Sequence, residues 1–524
     1  MFNKRFFSGK FIFAFLLLVL TIIYYDSVLD KGPLNQHLWR QSDCLSIAQN
    51  YADGAEFFKP EMHIQLGDGN TTGYSAGEFP ILYYTVGKVW SLFGKSHLLY
   101  RVFYLIILFA GLFALFRSFR LLIKSDFWAI SLTVLLFTSP VFVVYGVSFL
   151  TDVPAFSFVL VAIYFFLLYQ TKQLNRFLYL SLGFFTLAGL IKISSLIAFV
   201  ILLCVLILES FSSKKTLIKR QLFQNKKLAW ATFIALPLII FSWYYYASYF
   251  NDLHQFKYTF NDIWPVWNMK TTEFSSLLKN IQNNTSIVFF SRPMLILLAV
   301  ISIFNLFIIK KVPLFAYLTN LLVISGAILY AILWAPLLGI HDYYFVPFLI
   351  VYVASFGTFF WFLKHNTDWL KNKILKGVFT VFILYNFLYC LNVVKLKTLA
   401  QEGNFAIVTN EKFIGDMLWV NWQVGAYWNR YAEMGASLDE MGIAKNDLVI
   451  SLSDDSFNTT LYLLERKGWT NFSQYSTSEE IKNLINKGAK YLFIADTIKS
   501  KKEFLSPFLN ERIGDFKDVV VYKL

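Results

Sequence analysis

Hydrophobic positions in this chain do not alternate with polar ones at helical or strand spacing over most of its length; they run together. Apolar segments lie at about 11–25, 100–119, 127–145, 150–169, 177–190, 193–209, 228–249, 287–309, 313–335, 343–363 and 375–394. Most approach the ~20 residues that carry a helix across a hydrocarbon layer, the fifth being shorter. Barrel strands would instead alternate over about 10 residues. The pattern predicts a polytopic α-helical membrane protein of about eleven transmembrane helices.

The polar breaks orient the bundle. Lys and Arg gather in every second break: Arg117, Arg120 and Lys124; Lys172 and Arg176; Lys214, Lys215, Lys219, Arg220, Lys226 and Lys227; Lys310 and Lys311; Lys364, Lys371, Lys373 and Lys376. The alternate breaks (26–99, 146–149, 191–192, 251–286 and 336–342) are long, acidic or very short. The positive-inside bias then puts the N-terminus in the cytoplasm, and an odd number of spans puts the C-terminal part outside. Lys4, Arg5 and Lys10 precede the first run as in a signal peptide, but no small-residue cleavage site follows Tyr24-Tyr25-Asp26, so an uncleaved first span is expected. The large first external loop, 26–99, contains apolar stretches such as FPILYYTVGKVWSLF that are too short to span and predict interfacial helices.

From about residue 395 the pattern changes. DLVISLSD, TLYLLERKG, TSEEIKNLINKGAKYLFIAD and FKDVVVYKL alternate short β-branched runs with helix-like segments. This predicts a small soluble α/β domain over 395–524, external to the membrane, after a transmembrane domain over 1–394. Thr477 with Glu480 forms a capping-box pattern opening a helix that ends at Gly488.

Composition agrees with the membrane reading. The 524 residues are 57% hydrophobic and only 15% charged, against roughly 25% charged in soluble domains, and mean hydropathy is +0.52. The net charge of +14 sits in short loops between spans, which makes it a signature of topology and not of nucleic-acid binding. Cys44, Cys204 and Cys390 are scattered and offer neither metal-ligand spacing nor a disulfide framework.

The unusual polar residues cluster at the outer ends of spans. In HLWRQSDCLSIAQNY, helical spacing aligns Arg40, Asp43, Ser46 and Asn50 on one stripe opposite Leu38, Leu45, Ala48 and Ala52, so a helix on the membrane can show Asp43 upward. Asp152 in SFLTDVPAF opens the fourth span, Lys192 in AGLIKISSL interrupts an outer turn, Glu78 in SAGEFPILYY closes the polar part of the first loop, and HDYYFVPF brings His341 and Asp342 to the start of the tenth span. Each has an ordinary reading as well. Asp43 pairs with Arg40 three residues earlier, Asp152 is an N-cap, Lys192 snorkels, Glu78 is a loop acid, and His341 and Asp342 are structural. What points to chemistry is their coincidence on one side of the membrane.

As an ordered set, HLWRQSD, GEFPILYY, FLTDVPAF, GLIK and HDYYFVPF resemble the C-type membrane glycosyltransferases that use polyprenyl-phosphate sugars, in particular the branch of protein mannosyltransferases and lipid A aminoarabinose transferases. The resemblance covers roughly residues 10 to 365. It implies that Asp43 takes the place of the catalytic acid in the first loop and Glu78 that of the acid near the donor phosphate, while Asp152 and Lys192 match the later acid and the phosphate-side lysine. Two departures concern the donor phosphate. Phe79 stands where the aminoarabinose transferase pattern has a lysine, and His341-Asp342 replaces a late arginine.

The implied reaction moves a sugar from a polyprenyl-phosphate donor to a lipid, glycan or protein acceptor at the outer face of a bacterial cytoplasmic (inner) membrane. Breaking the anomeric bond leaves a phosphate oxyanion, for which Lys192, Arg40, His341 or a bound divalent cation are the candidate positive charges. Asp43 is the candidate general base, with inversion at the anomeric carbon. Asp152 is a second candidate catalytic residue. Glu78 and Asp152 either hold that cation or orient the acceptor and Lys192; Arg40, Glu78, Lys192, His341, Tyr343 and Tyr344 form the candidate substrate-binding set. Rival readings are a lipid or sugar transporter, which would place charges near the midplane in repeated halves, and a non-catalytic envelope assembly protein.

Overall fold

A computed structural model describes residues 9–34, 37–211, 222–256, 263–399, 410–495 and 502–524. α1 (Gly9–Tyr25) is followed by α2 (Leu38–Ala52) and α3 (Ile81–Phe93) of the long loop. Then come α4 (His97–Ile123), α5 (Asp126–Leu136), α6 (Pro140–Gly146), α7 (Asp152–Lys172), α8 (Asn175–Ile191), α9 (Ile197–Phe211) and α10 (Lys226–Leu253). α11 (Thr271–Asn280), a π turn and α12 (Ser286–Phe289) lead to α13 (Arg292–Phe307), α14 (Leu314–Leu333), the short α15 (Ala335–Ile340), α16 (Leu349–Asn366) and α17 (Lys373–Leu399).

Among the described residues, seven helices are long and apolar enough to cross a membrane, nine if each bent pair is one span, and α1 and α8 are shorter apolar helices. These elements fall one for one on the apolar runs of the sequence. Two expected spans are bent instead of straight. The run 127–145 turns by 76° between α5 and α6, where Pro140 opens the second helix and disfavours helical geometry in the residue before it. The run 287–309 begins inside an elbow of 92°; Phe290 is extended, and Ser291 restarts the chain by accepting the Met294 N–H at its hydroxyl.

Apolar packing fills the bundle around Phe116, Trp128, Phe142, Phe156, Tyr352 and Phe356. Several polar groups buried in this packing pair with backbone carbonyls. The Trp128 indole donates to the Leu370 carbonyl at 2.9 Å, Tyr352 to that of Leu132 at 2.6 Å, and Asn305 to that of Ser355 at 2.9 Å.

Beyond the bundle come α18 (Glu411–Tyr427), α19 (Gly435–Glu440), β1 (Leu448–Ser451), α20 (Thr459–Leu464), β2 (Gly468–Thr470), α21 (Ser478–Asn486), β3 (Ala489–Ile494), β4 (Glu511–Phe516) and β5 (Val519–Lys523). The sheet order is β2-β1-β3-β5-β4, with β1 parallel to β2 and β3 and β5 antiparallel to β3 and β4. The capping box forms: the Thr477 hydroxyl accepts the Glu480 N–H at 3.3 Å, and the Glu480 carboxylate accepts the Thr477 N–H at 2.9 Å.

The first loop and the sheet are joined edge to edge. The Gln65 N–H donates to the Gly468 carbonyl at 2.8 Å, and the Gly468 N–H to that of His63 at 3.1 Å, so the loop adds a bridge beside β2. A side chain cannot replace Gly468: its φ is +153°, and a Cβ there would meet the Val449 carbonyl oxygen at 1.8 Å. Lys467 pairs with Glu61 at 2.8 Å and Lys95 with Glu465 at 2.5 Å along the same seam.

Candidate active site

α2 carries the first group of candidate residues and is held on both sides. On one side α3 approaches so closely that a Cβ on Gly87 would lie 2.7 Å from the Ala48 carbonyl oxygen, and the Cys44 sulfur lies 3.3 Å from the Tyr83 hydroxyl. On the other side lies α20. Every residue from Gln41 to Tyr51 is buried. Asp43 therefore does not show upward from an open surface helix: its carboxylate lies beneath Asn458 of the α/β domain, which donates to it at 2.9 Å. The polar stripe was readable from periodicity, but its cover is supplied by residues far along the chain.

Arg40 serves two acids, Glu78 more closely than Asp43. Its guanidinium Nη2 lies 2.6 and 2.7 Å from the two Glu78 carboxylate oxygens, whereas Nη1 is 3.9 Å from Asp43. Lys192, in the break between α8 and the turn before α9, reaches Asp152 at 3.3 Å and Glu78 at 4.0 Å. Asp152 is the first residue of α7, after Thr151 at the cap position, and so is not itself the N-cap. Lys192 also stands over the rings of Tyr343 and Tyr344, 5.7 and 5.3 Å from their centroids, a cation–π arrangement. Arg40, Asp43, Glu78, Asp152, Lys192, Tyr343 and Tyr344 thus come together from five separate segments at one end of the bundle.

Exposure orders this cluster. The Arg40 and Lys192 side chains are 15% and 16% exposed, against 7% for Asp43 and 3% for Asp152. Glu78, at 12%, lies beside the cations, with Asp43 and Asp152 deeper. Burial pushes the Asp43 carboxyl up to about 7, with Arg40 and the Asn458 hydrogen bond drawing it down. For Glu78, burial is outweighed by Arg40 and Lys192, which hold it down at about 2. Asp43 thus changes charge near neutral pH, while Glu78 stays ionised.

His341 stacks against Tyr343, 5.2 Å between centroids at 25°, and lies 5.2 Å from the His37 ring. Burial, then His37, brings it to about 3, so it is neutral near pH 7. Its neighbour Asp342 is the centre of a second ionic group that the sequence did not reveal. His37 Nε2 lies 3.0 Å from Asp342, and Tyr145 and Lys397 bond to the same carboxylate.

An apolar cavity lies between α4, α7, α9, α14 and α16, lined by Ile163, Ala198, Ile201, Val323 and Ile350 among others. It begins within two turns of Lys192 and Tyr344, at Ala198 and Ile350, and extends to Pro313 and Trp361 at the opposite end of the helices.

No protein-family model matches the chain, and no curated protein matches it in sequence. Solved structures do. The chain is similar to ArnT from Cupriavidus metallidurans bound to undecaprenyl phosphate, with a TM-score of 0.57 and 10% identity over 98% of each chain. The apo state of ArnT from the same organism gives a TM-score of 0.53 at 8% identity, covering 98% of this chain and 97% of that one. The archaeal oligosaccharyltransferase AglB from Archaeoglobus fulgidus, in complex with an inhibitory peptide and a dolichol-phosphate, gives 0.53 at 11% identity over 94% of this chain and 70% of that one. At such identities the likeness is one of fold, which the chain shares with ArnT and AglB.

Proposed function

We propose that the protein is a glycosyltransferase that moves a hexosyl or pentosyl group from a polyprenyl-phosphate donor to an envelope acceptor, with inversion, at the outer face of a bacterial inner membrane. The observation that carries this reading is the convergence of Arg40, Asp43, Glu78, Asp152 and Lys192 at one end of the bundle. A prenyl chain suits the apolar cavity between α4, α7, α9, α14 and α16, and a phosphate suits Arg40 and Lys192, the less buried members of the cluster. ArnT bound to undecaprenyl phosphate and AglB in complex with dolichol-phosphate support the same class of lipid-linked ligand. A transport path would need charges deeper in the bundle.

In this mechanism the acceptor hydroxyl oxygen attacks the anomeric carbon while the bond from that carbon to the phosphate oxygen breaks. The electron pair leaves with the polyprenyl phosphate, and the hydroxyl proton passes to Asp43. A base that titrates near 7 is suited to this step at neutral pH. Lys192 and Arg40 stabilise the departing phosphate, acting as fixed charges in a site with little water. Glu78 and Asp152 orient those cations. His341 is neutral and contributes hydrogen bonding and ring surface next to Tyr343 and Tyr344.

Glu78 and Asp152 do not fit a divalent cation. The Lys192 ammonium already reaches both of them, and the Glu78 oxygens are engaged by Arg40. Among the described residues no group of three or more His, Cys, Asp or Glu could hold a metal ion. No step is assigned to a metal.

The test is transfer of labelled sugar from a panel of polyprenyl-phosphate donors to cell-envelope acceptors by the purified protein in lipid, beside Asp43→Asn. Donor consumption that vanishes in the variant supports the reading. No consumption across a broad panel, or equal activity in the variant, overturns it.

A further inference from the structure

A side chain of the α/β domain, Asn458, reaches the candidate base Asp43. The turn from β1 to α20 contains SDDSFN, and its last residue, Asn458, is fully buried. Its Nδ2 donates to Asp43 Oδ1 at 2.9 Å and lies 3.2 Å from the Met62 sulfur; its Oδ1 accepts the Ile64 N–H at 2.9 Å. A backbone N–H can only donate, so it fixes which end of the amide faces the loop. The NH2 end is then left facing Asp43, where an ionised carboxylate is the natural acceptor.

Two further features show that this contact is built. Asn458 occupies the N-cap position of α20 but makes no capping bond with its side chain, although Asn is among the favoured caps; the side chain crosses the seam instead. The turn behind it is braced by buried Asp454, which accepts from the Ser456 N–H at 2.8 Å and from the Thr460 N–H and hydroxyl, both at 2.7 Å. On the loop side, residues 63 to 65 are fixed by their pairing with Gly468. The amide is therefore anchored at both ends by backbone that cannot shift independently.

We propose that Asn458 is a positioning residue for the transfer reaction: it holds the Asp43 carboxylate in one orientation and in its charged form, so that the α/β domain completes the active site. This rests on Asp43 acting as the base. The charged groups around Asp43 are Arg40 on its own helix, Glu78 from the loop before α3, and Asp454 from the turn that carries Asn458. Arg40 and Asn458 favour the carboxylate; Glu78 and Asp454 oppose it.

The decisive variant is Asn458→Asp, which has the same shape, keeps an acceptor for the Ile64 N–H, removes the donor and puts a second acid beside Asp43. The full-length protein in lipid is titrated by infrared difference spectroscopy, following the carboxyl band that disappears in Asp43→Asn. The midpoint of that band is expected to rise by about one pH unit or more in Asn458→Asp, and by less in Asn458→Ala. The acidic limb of the transfer rate should move with it. Lys467→Ala, which removes a seam ion pair away from Asp43, should leave the midpoint in place. An unmoved midpoint in both Asn458 variants, or an equal rise in Lys467→Ala, overturns the inference. A midpoint that rises without moving the rate profile upholds the grip of Asn458 on Asp43 and removes Asp43 as the base.

Discussion

Two ionic groups lie a few side chains apart at the same end of the bundle, and they are built on different plans. In the group around Asp342, one carboxylate receives His37, Tyr145 and Lys397, and all four side chains are buried. In the group around Glu78, two cations and two or three acids share looser contacts of 2.6 to 4.0 Å, with the cations partly open. The closed group joins the loop before α2, the α5–α6 span and the ends of α16 and α17. The open group keeps charge in reserve: its carboxylate at Asp43 titrates near neutrality, and its lysine faces two aromatic rings. Burial alone does not mark a functional charge. What separates the two groups is whether the partners already present saturate one another.

The largest effect that would break this distinction concerns Asp43. Asp43→Asn preserves shape and can still accept from Asn458, so thermal stability should change little while transfer falls by about 10²- to 10⁴-fold, the usual range for loss of a positioned base. Rate and melting temperature measured on the same preparation check this. In the unsubstituted protein the rate should fall as pH drops through about 7, where Asp43 gains its proton.

Next in size is the closed group, where the readout is stability. Asp342→Asn leaves the Lys397 ammonium buried without its counter-charge, a change that typically costs about 3–5 kcal/mol. Adding Lys397→Met removes the stranded charge and should recover a large part of that loss, as a thermal or denaturant melt in lipid would show. If Asp342→Asn instead spares stability and abolishes transfer, the two groups have been assigned the wrong way round.

The sequence made the open group legible and left the closed one hidden, for a physical reason. Asp43, Glu78, Asp152 and Lys192 each interrupt or border an apolar run, where an ionisable residue stands out, and their order matched a known pattern. Asp342 was visible too, but its partners were not. Lys397 reads as an ordinary basic residue ending a span, Tyr145 as one aromatic among many, and His37 as part of a loop. Nothing in one-dimensional spacing pairs residues 37, 145, 342 and 397. Asn458 was hidden likewise: its bond to Asp43 spans 415 positions, and in SFNTTLYLL it reads as a plain helix cap. The spans were readable because lipid imposes length and apolarity locally. The bends at Pro140 and Ser291 carried a local signal in S-P and S-R-P that span counting passed over.

A smaller effect sharpens the role of the open cations. Lys192→Gln removes a fixed charge from beside the departing phosphate and should lower kcat by about 10²- to 10³-fold, the scale found when one preorganised donor is removed. The loss should be larger in kcat than in KM, because the negative charge on the leaving oxygen grows on the way to the transition state. An equal loss in binding alone would make Lys192 an anchor for the ground-state phosphate.

The smallest expected effect is none at all. Lys192 lies 3.3 Å from Asp152 and 4.0 Å from Glu78, so its ammonium occupies the place between two carboxylates that a divalent cation would need. Removing metal with a chelator should therefore leave the transfer rate of the unsubstituted protein unchanged. In Lys192→Gln the same two acids lose their shared counter-charge, which gives added Mg²⁺ or Mn²⁺ its best chance to enter. Rescue of that variant by metal, with no dependence in the unsubstituted protein, would show lysine doing the work of a cation in this site. Chelator sensitivity in the unsubstituted protein would instead mean that Glu78 and Asp152 rearrange around a metal when the donor binds, and the open group would then have to be redrawn with Lys192 displaced from between them.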